Sequence, residues 1–168
     1  MPERTAHPAT FTIDRHFAHP PARVFAAFAD ETAKASWFVG PTDESTNETA
    51  GESTGESAFD FREGGRETAG GPIPDGRISR FESHYWDIVP NERIIYSYDM
   101  HLDDRRISVS LATLEFRPAA GGIATDLRLT EQAVFLDGLD IVADRERGTR
   151  DLLDALDRYL GESVEVSA

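Results

Sequence analysis

Residues 124–160, ATDLRLTEQAVFLDGLDIVADRERGTRDLLDALDRYL, decide the fold. Over 124–133 the chain alternates. Thr125, Leu127, Leu129 and Glu131 share one face, and Asp126, Arg128, Thr130 and Gln132 share the other. That is the period-2 pattern of a half-buried strand. Asp137 and Gly138 break it with turn residues. Residues 141–160 then read as one amphipathic helix. Leu152, Leu156 and Leu160 stand four apart, with Leu153 and Tyr159 beside them. A strand running into a closing helix predicts a sheet that must cover that helix's apolar stripe.

Working upstream, residues 106–116, 94–100 and 77–89 read as three further strands. Ile94, Tyr96, Tyr98 and Met100 share one face of the 94–100 segment. Pro90, Asn91 and Glu92 turn the chain before it, and Asp103 and Asp104 turn it afterwards. Short connections of this kind favour an antiparallel meander. In 77–89 two registers are open: Phe81, Ser83 and Tyr85 face inward, or His84 and Trp86 do, and the first is favoured. Phe59 and Phe61 alternate across 59–65, with Gly64 and Gly65 as a turn and a weak return strand at 66–69. Residues 70–76 read as a loop. Near the N-terminus, 10–17 reads as a first strand stopped by Pro20 and Pro21. Two short helices follow, at 22–29 and, capped by Asp30, at 31–36. Trp37 and Phe38 come directly after them as anchors.

Composition bounds the function. A 39% hydrophobic fraction is that of an ordinary water-soluble domain, and no apolar run is long enough to cross a bilayer. With no signal-type segment over 1–10, a cytoplasmic location is expected. The absence of cysteine excludes disulfides, thiolate metal sites and a cysteine nucleophile. A net charge of -14 disfavours nucleic acid and anionic membranes as partners. Lys34 is the only lysine, a bias that suits either a high-salt cytoplasm or a G+C-rich genome. The expected organisation is one domain over 1–168, with loose termini at 1–8 and 162–168. A mobile acidic loop is expected at 42–57.

The order of several motifs carries a resemblance. They are Phe17-x-x-Pro20-x-x-x-Val24-Phe25, Trp37-Phe38, Asp60-Phe61-Arg62-x-Gly64-Gly65, Tyr85-x-Asp87-Ile88-Val89-Pro90-x-Glu92-Arg93, Thr130-Glu131-Gln132 and Gly148-Thr149-x-x-Leu152-Leu153-x-x-Leu156. The chain resembles the START-like, or SRPBCC, superfamily with its helix-grip fold, in the branch named after the activator of the heat-shock-protein ATPase. The resemblance implies an α+β fold: a curved antiparallel sheet of six to seven strands wrapped around a long C-terminal helix, with two short helices after strand 1. It also implies a cavity between sheet and helix for a small hydrophobic or aromatic molecule. Two rival functions belong to the same superfamily: a cyclase, aromatase or dehydratase acting on such a molecule, and a chaperone-interacting module. A homodimer is a further possibility. No cofactor is expected.

The expected lining is Trp37, Phe38, Phe59, Phe61, Tyr85, Tyr96, Tyr98, Met100, Leu114, Phe135, Arg145, Gly148 and Leu152, with Glu131 as the candidate catalytic carboxylate. Apolar walls with a few polar groups are what such sites need. Glu131 has two readings: inside, as an acid–base group or paired with Arg145, or on the rim beyond the end of its strand, which is favoured. Gly148 is expected on the buried stripe of the helix, either making room for a ligand or letting a strand backbone approach. Phe25, Phe28 and Phe116 are read as core. His7, His16, His19, His84 and His101 show no metal-ligand spacing, and no metal is expected. No phosphate-binding glycine loop and no G-x-S-x-G elbow is present.

Overall fold

The alternating segments of the C-terminal half follow one another as strands. The computed structural model describes residues 3–38 and 58–165; the loop expected at 42–57 lies outside them. Six strands build one antiparallel sheet: β1 (Ala6–Phe17), β2 (Arg66–Pro72), β3 (Ile78–Val89), β4 (Arg93–Leu102), β5 (Arg105–Ala119) and β6 (Ala124–Leu136). Their spatial order is β1-β6-β5-β4-β3-β2. β2 to β6 are therefore a meander, and β1 closes the far edge on β6. Between β1 and β2 the chain crosses the sheet, and α1 (Pro21–Ala29) and α2 (Glu31–Trp37) lie on that path. The last element is α3 (Val142–Glu165), which the sheet curls around. This is the helix-grip arrangement.

Local chemistry explains the turns. Asn91 and Asp103 sit at the β3–β4 and β4–β5 corners with φ of 65° and 53°, a region that Asn and Asp tolerate better than most side chains. Asp103 also accepts the Ile78 N–H at 2.9 Å. Asp30 serves two helices. Its N–H closes α1 on Ala26, and its carboxylate caps α2 by accepting from the Ala33 N–H at 2.8 Å.

Several boundaries differ from the expected ones. No seventh strand forms at 59–65; Phe59 makes only an isolated bridge to Glu67. The reason is Gly65, where a Cβ would lie 2.0 Å from the Asp60 carbonyl oxygen. The chain doubles back there instead of running extended. β2 extends through Pro72, past the expected loop start at residue 70. β1 begins at Ala6, within a stretch expected to be loose, and α3 continues to Glu165.

The inner face of the sheet and the lower face of α3 enclose the core. Phe11, Ile13 and Phe17 of β1, Leu127 and Leu129 of β6, Leu114 and Phe116 of β5, and Leu153, Leu156 and Leu160 of α3 are buried together. α1 adds Val24, Phe25 and Phe28, with Phe25 and Phe28 edge-on to Phe116 at 5.5 and 5.6 Å between ring centres. Trp37 donates its indole N–H to the Ala27 carbonyl at 3.0 Å and so locks α2 onto α1.

Candidate functional site

β3 settles its register at Trp86, which is 58% exposed. Phe81, Ser83 and Tyr85 are buried on the opposite face. A bulge between Tyr85 and Asp87 ends the regular alternation. On β4 the inward residues are Ile94, Tyr96, Tyr98 and Met100, and on β5 they are Ser108, Ser110, Ala112, Leu114 and Phe116. The ring of Tyr85 on β3 lies beside Tyr96 of its β4 neighbour, and Tyr98 follows along β4, 5.9 Å between successive centres. Phe81 packs against Tyr98 at 4.8 Å.

Two buried charged clusters flank the three tyrosines. The first gathers around Glu131, which is only 2% exposed. The rim position favoured for it is therefore wrong: alternation continues along β6 through Ala133 and Phe135, which carries Glu131 inward with them. Its Oε1 accepts from the Tyr98 hydroxyl at 2.6 Å, the Ser110 hydroxyl at 2.8 Å and Arg145 Nη1 at 3.3 Å. Arg145 Nη2 donates to Ser108 Oγ at 2.8 Å and Asp140 Oδ2 at 2.6 Å. The Arg145 guanidinium also lies 5.4 Å from the Phe135 ring. Ser108, Ser110 and Ala112 are small, and that leaves room for the arginine under the helix. Burial pulls the Arg145 pKa down, but Tyr98, Glu131 and Asp140 outweigh it and raise the value overall. Burial first, and Glu131 after it, push the Tyr98 hydroxyl up. All three of the Glu131 hydrogen bonds converge on one oxygen, Oε1.

The second cluster holds Phe38, Phe59, Tyr85 and Tyr96 of the expected lining, but its charged pair escaped the sequence reading. Lys34 on α2 and Glu67 on β2 are 5% and 4% exposed. Lys34 Nζ donates to Glu67 Oε2 at 2.5 Å, and the Tyr85 hydroxyl donates to the same oxygen at 2.5 Å. Lys34 Nζ also lies 3.3 Å from the Tyr85 hydroxyl and 4.6 Å from the centre of the Phe38 ring. The rings of Phe59, Tyr85 and Tyr96 complete an aromatic surround at 5.9, 5.9 and 6.0 Å. Desolvation lowers the Lys34 pKa against the attraction of Glu67, and burial raises that of Tyr85. The available signal was the uniqueness of Lys34 in the sequence, together with its place one helical turn before Trp37.

Tyr96 sits between the clusters. Its hydroxyl has no hydrogen-bond partner among the described residues, and it is not sealed from solvent. Burial and the neighbouring Tyr98 raise its pKa well above the usual phenol value, so it remains a donor. Phe38, Phe61, Met100, Leu152, Ala155 and Tyr159 also keep accessible surface although they pack on the core. These partly buried side chains lie where a cleft between the inner face of the sheet and one flank of α3 would run.

The remaining expected residues divide. Phe59 stacks on Phe61 at 6.3 Å, and Phe61 meets Tyr85 edge-on at 5.0 Å, at the Lys34 end. Trp37 and Leu114 are buried in the core and do not line the cleft. Gly148 is not on the buried stripe. It is exposed, and an added Cβ would meet nothing within 4 Å. No strand backbone approaches it.

The fold also gathers Glu82, Asp99 and His101, with ligand-type atoms within 4.8 Å of one another. Spacing along the chain hides this set, because Glu82 reaches Asp99 across the β3–β4 pair. Both carboxylates already hold guanidinium groups: Arg80 on Glu82 at 3.1 Å and Arg106 on Asp99 at 2.8 Å. Two polar depressions of about 520 and 440 Å³ open elsewhere. The larger is lined mainly by polar and charged side chains, among them Arg66, Glu82, His84, Asp99 and Arg106, with Val109 as an aliphatic member. No helix among the described residues is long and apolar enough to cross a membrane.

Comparison with known proteins agrees with this geometry. The family described as Activator of Hsp90 ATPase homolog 1-like protein matches residues 18–161. A solved protein from Rhizobium leguminosarum is 40% identical, with a TM-score of 0.83 over 95% of this chain and 99% of that one. Mll3558 from Rhizobium loti is 37% identical, with a TM-score of 0.79 over 92% of this chain and 99% of that one. DynU16, a protein of the dynemicin biosynthetic locus, shares the fold at 17% identity, with a TM-score of 0.60 over 90% of this chain and 47% of that one. Among curated proteins no match was found.

Proposed function

The chain belongs to the Activator of Hsp90 ATPase homolog 1-like family, and from that premise we propose that it binds a small apolar or aromatic molecule between its sheet and α3. The observation that carries this reading is Tyr96. A phenol hydroxyl deep in a folded chain normally finds a partner. Here both neighbouring tyrosines have carboxylate acceptors, and Tyr96 has none among the described residues. Partly accessible apolar side chains that pack on the same core include Phe38, Met100 and Leu152. The fitting ligand has an apolar body and one neutral acceptor, a carbonyl or ether oxygen, placed to take the Tyr96 hydrogen.

Binding is favoured over acid–base catalysis at Glu131. That carboxylate is engaged through Oε1 by Tyr98, Ser110 and Arg145, which accounts for its burial without a reaction. Its role in this reading is structural: it holds Arg145 and Tyr98 at the end of the cleft.

Titration with the neutral dye N-phenyl-1-naphthylamine tests the reading. Saturable fluorescence enhancement is expected for the native chain. Leu152→Trp, which fills the flank of α3 beside the cleft, should weaken it roughly tenfold, about 1.4 kcal/mol. Unchanged affinity in a variant with native circular dichroism would count against a guest at this place.

A further inference from the structure

The family match spans the Lys34 cluster without giving it a role, and the binding reading does not use the Lys34–Glu67 pair. Its parts are those of amine chemistry. A primary amine lies in a desolvated aromatic surround, 2.5 Å from a carboxylate and 3.3 Å from a phenol. The same phenol donates to the same carboxylate at 2.5 Å. Two rings of that surround, Phe38 and Tyr96, are only partly buried, with their centres 4.6 and 6.0 Å from Nζ.

We propose that Lys34 is a reactive amine which forms an imine with an apolar or aromatic aldehyde or ketone held in the cleft. This rests on the cleft being a binding site. The steps balance without an oxidant or reductant. Glu67 takes a proton from the ammonium, and the free Nζ lone pair attacks the carbonyl carbon. The N–C bond forms while the carbonyl π pair moves to oxygen, which takes a proton from the Tyr85 hydroxyl. The resulting carbinolamine loses its second N–H proton to the tyrosine–carboxylate pair. Its hydroxyl leaves as water with the proton held by Glu67, and a C=N bond replaces the C–O bond. The net reaction is amine plus carbonyl to imine plus water. The lowered basicity of Lys34 works in the same direction, since only the unprotonated amine is nucleophilic. A Tyr96 hydroxyl that donates to the carbonyl oxygen would orient the carbon toward Nζ.

Because Lys34 is the only lysine, the test is clean. The native protein is incubated at pH 7 with cinnamaldehyde and sodium cyanoborohydride, then mapped by peptide mass spectrometry. The expected result is an adduct on Lys34 of the native chain, formed faster than on Lys34 of the urea-unfolded chain. Lys34→Arg should lose that adduct while the N-terminal amine still reacts. Glu67→Gln and Tyr85→Phe should slow it. N-phenyl-1-naphthylamine, which has no carbonyl, is titrated in parallel. If the dye binds and Lys34 stays unlabelled, or labels equally fast when unfolded, the imine proposal is overturned and the cleft stands. If neither dye nor aldehyde engages the native chain, the cleft reading falls and the imine with it.

Discussion

Lys34 and Glu67 give the sharpest energetic prediction. Their side chains are each 6% exposed, and 2.5 Å separates Nζ from Oε2. Lys34→Met leaves a buried carboxylate facing the Tyr85 hydroxyl with no cation beside it. Breaking a buried pair from one side typically costs about 3–5 kcal/mol. At this chain length each kcal/mol lowers Tm by roughly 2–4 °C, so a fall of about 6–20 °C is expected. Glu67→Gln should cost a similar amount, because it strands the ammonium. The double variant removes both charges yet keeps an amide oxygen for Tyr85. It should therefore be more stable than the sum of the single changes predicts, with a coupling of roughly 2–3 kcal/mol. Urea unfolding at pH 7, followed by the fluorescence of Trp37 and Trp86, measures all four corners of the cycle. Added salt should change the coupling little, because a buried pair is poorly screened. A Lys34→Met loss below about 1 kcal/mol, or single effects that simply add, would refute the idea of a desolvated ion pair here.

Other outcomes follow from the same coordinates. Gly148→Ala should stabilise the chain by up to about 1 kcal/mol, because alanine is the better helix former and its methyl group meets nothing within 4 Å; thermal unfolding that shows a loss instead would mean the site is crowded. Tyr85, Tyr96 and Tyr98 all have pKa values pushed up, chiefly by burial, so absorbance at alkaline pH should show no ionisation of these three until near-ultraviolet circular dichroism reports unfolding. Two or more tyrosines ionising in a native spectrum would contradict their placement. Asp14 and Asp87 are held below the usual carboxylate range by hydrogen bonds from Arg128 and Arg93, and Asp137 by the Thr5 N–H and then Arg4. Their folded pKa values are depressed, so their contribution is present above the unfolded value of about 3.9 and is lost as pH falls through the lower folded values. Tm should therefore fall from about pH 4 downward, and the Asp14 share of that fall should shrink at high salt because Asp14 is exposed; a Tm that stayed level through that range would show these pairs to be idle.

What could be read from the sequence, and what could not, follows from how far each signal reaches along the chain. β6 and α3 were legible because both periodicities are local and strong. Strand 59–65 was misread because alternation of Phe59 and Phe61 is also compatible with a tight fold-back, and only Gly65, whose missing Cβ leaves room for the Asp60 carbonyl, distinguishes the two. Gly148 was misplaced by stepping back from the leucines in fours. An α-helix turns about 100° per residue, so each step of four drifts by about 40°. From Leu160 to Gly148 is three such steps, enough to leave the buried stripe. Eleven residues back from Leu156, by contrast, the drift is only about 20°, and the residue there is Arg145, which does point inward to Glu131. The Lys34–Glu67 pair had no such handle. Its members are 33 residues apart, on a short helix and an edge strand, and no period links them. Yet the chain confines its one lysine to a place where desolvation opposes its charge, while arginine supplies every exposed cation. Charge alone does not distinguish the two side chains there. Their chemistry does: a lysine amine can lose its proton and react with a carbonyl, and a guanidinium does not.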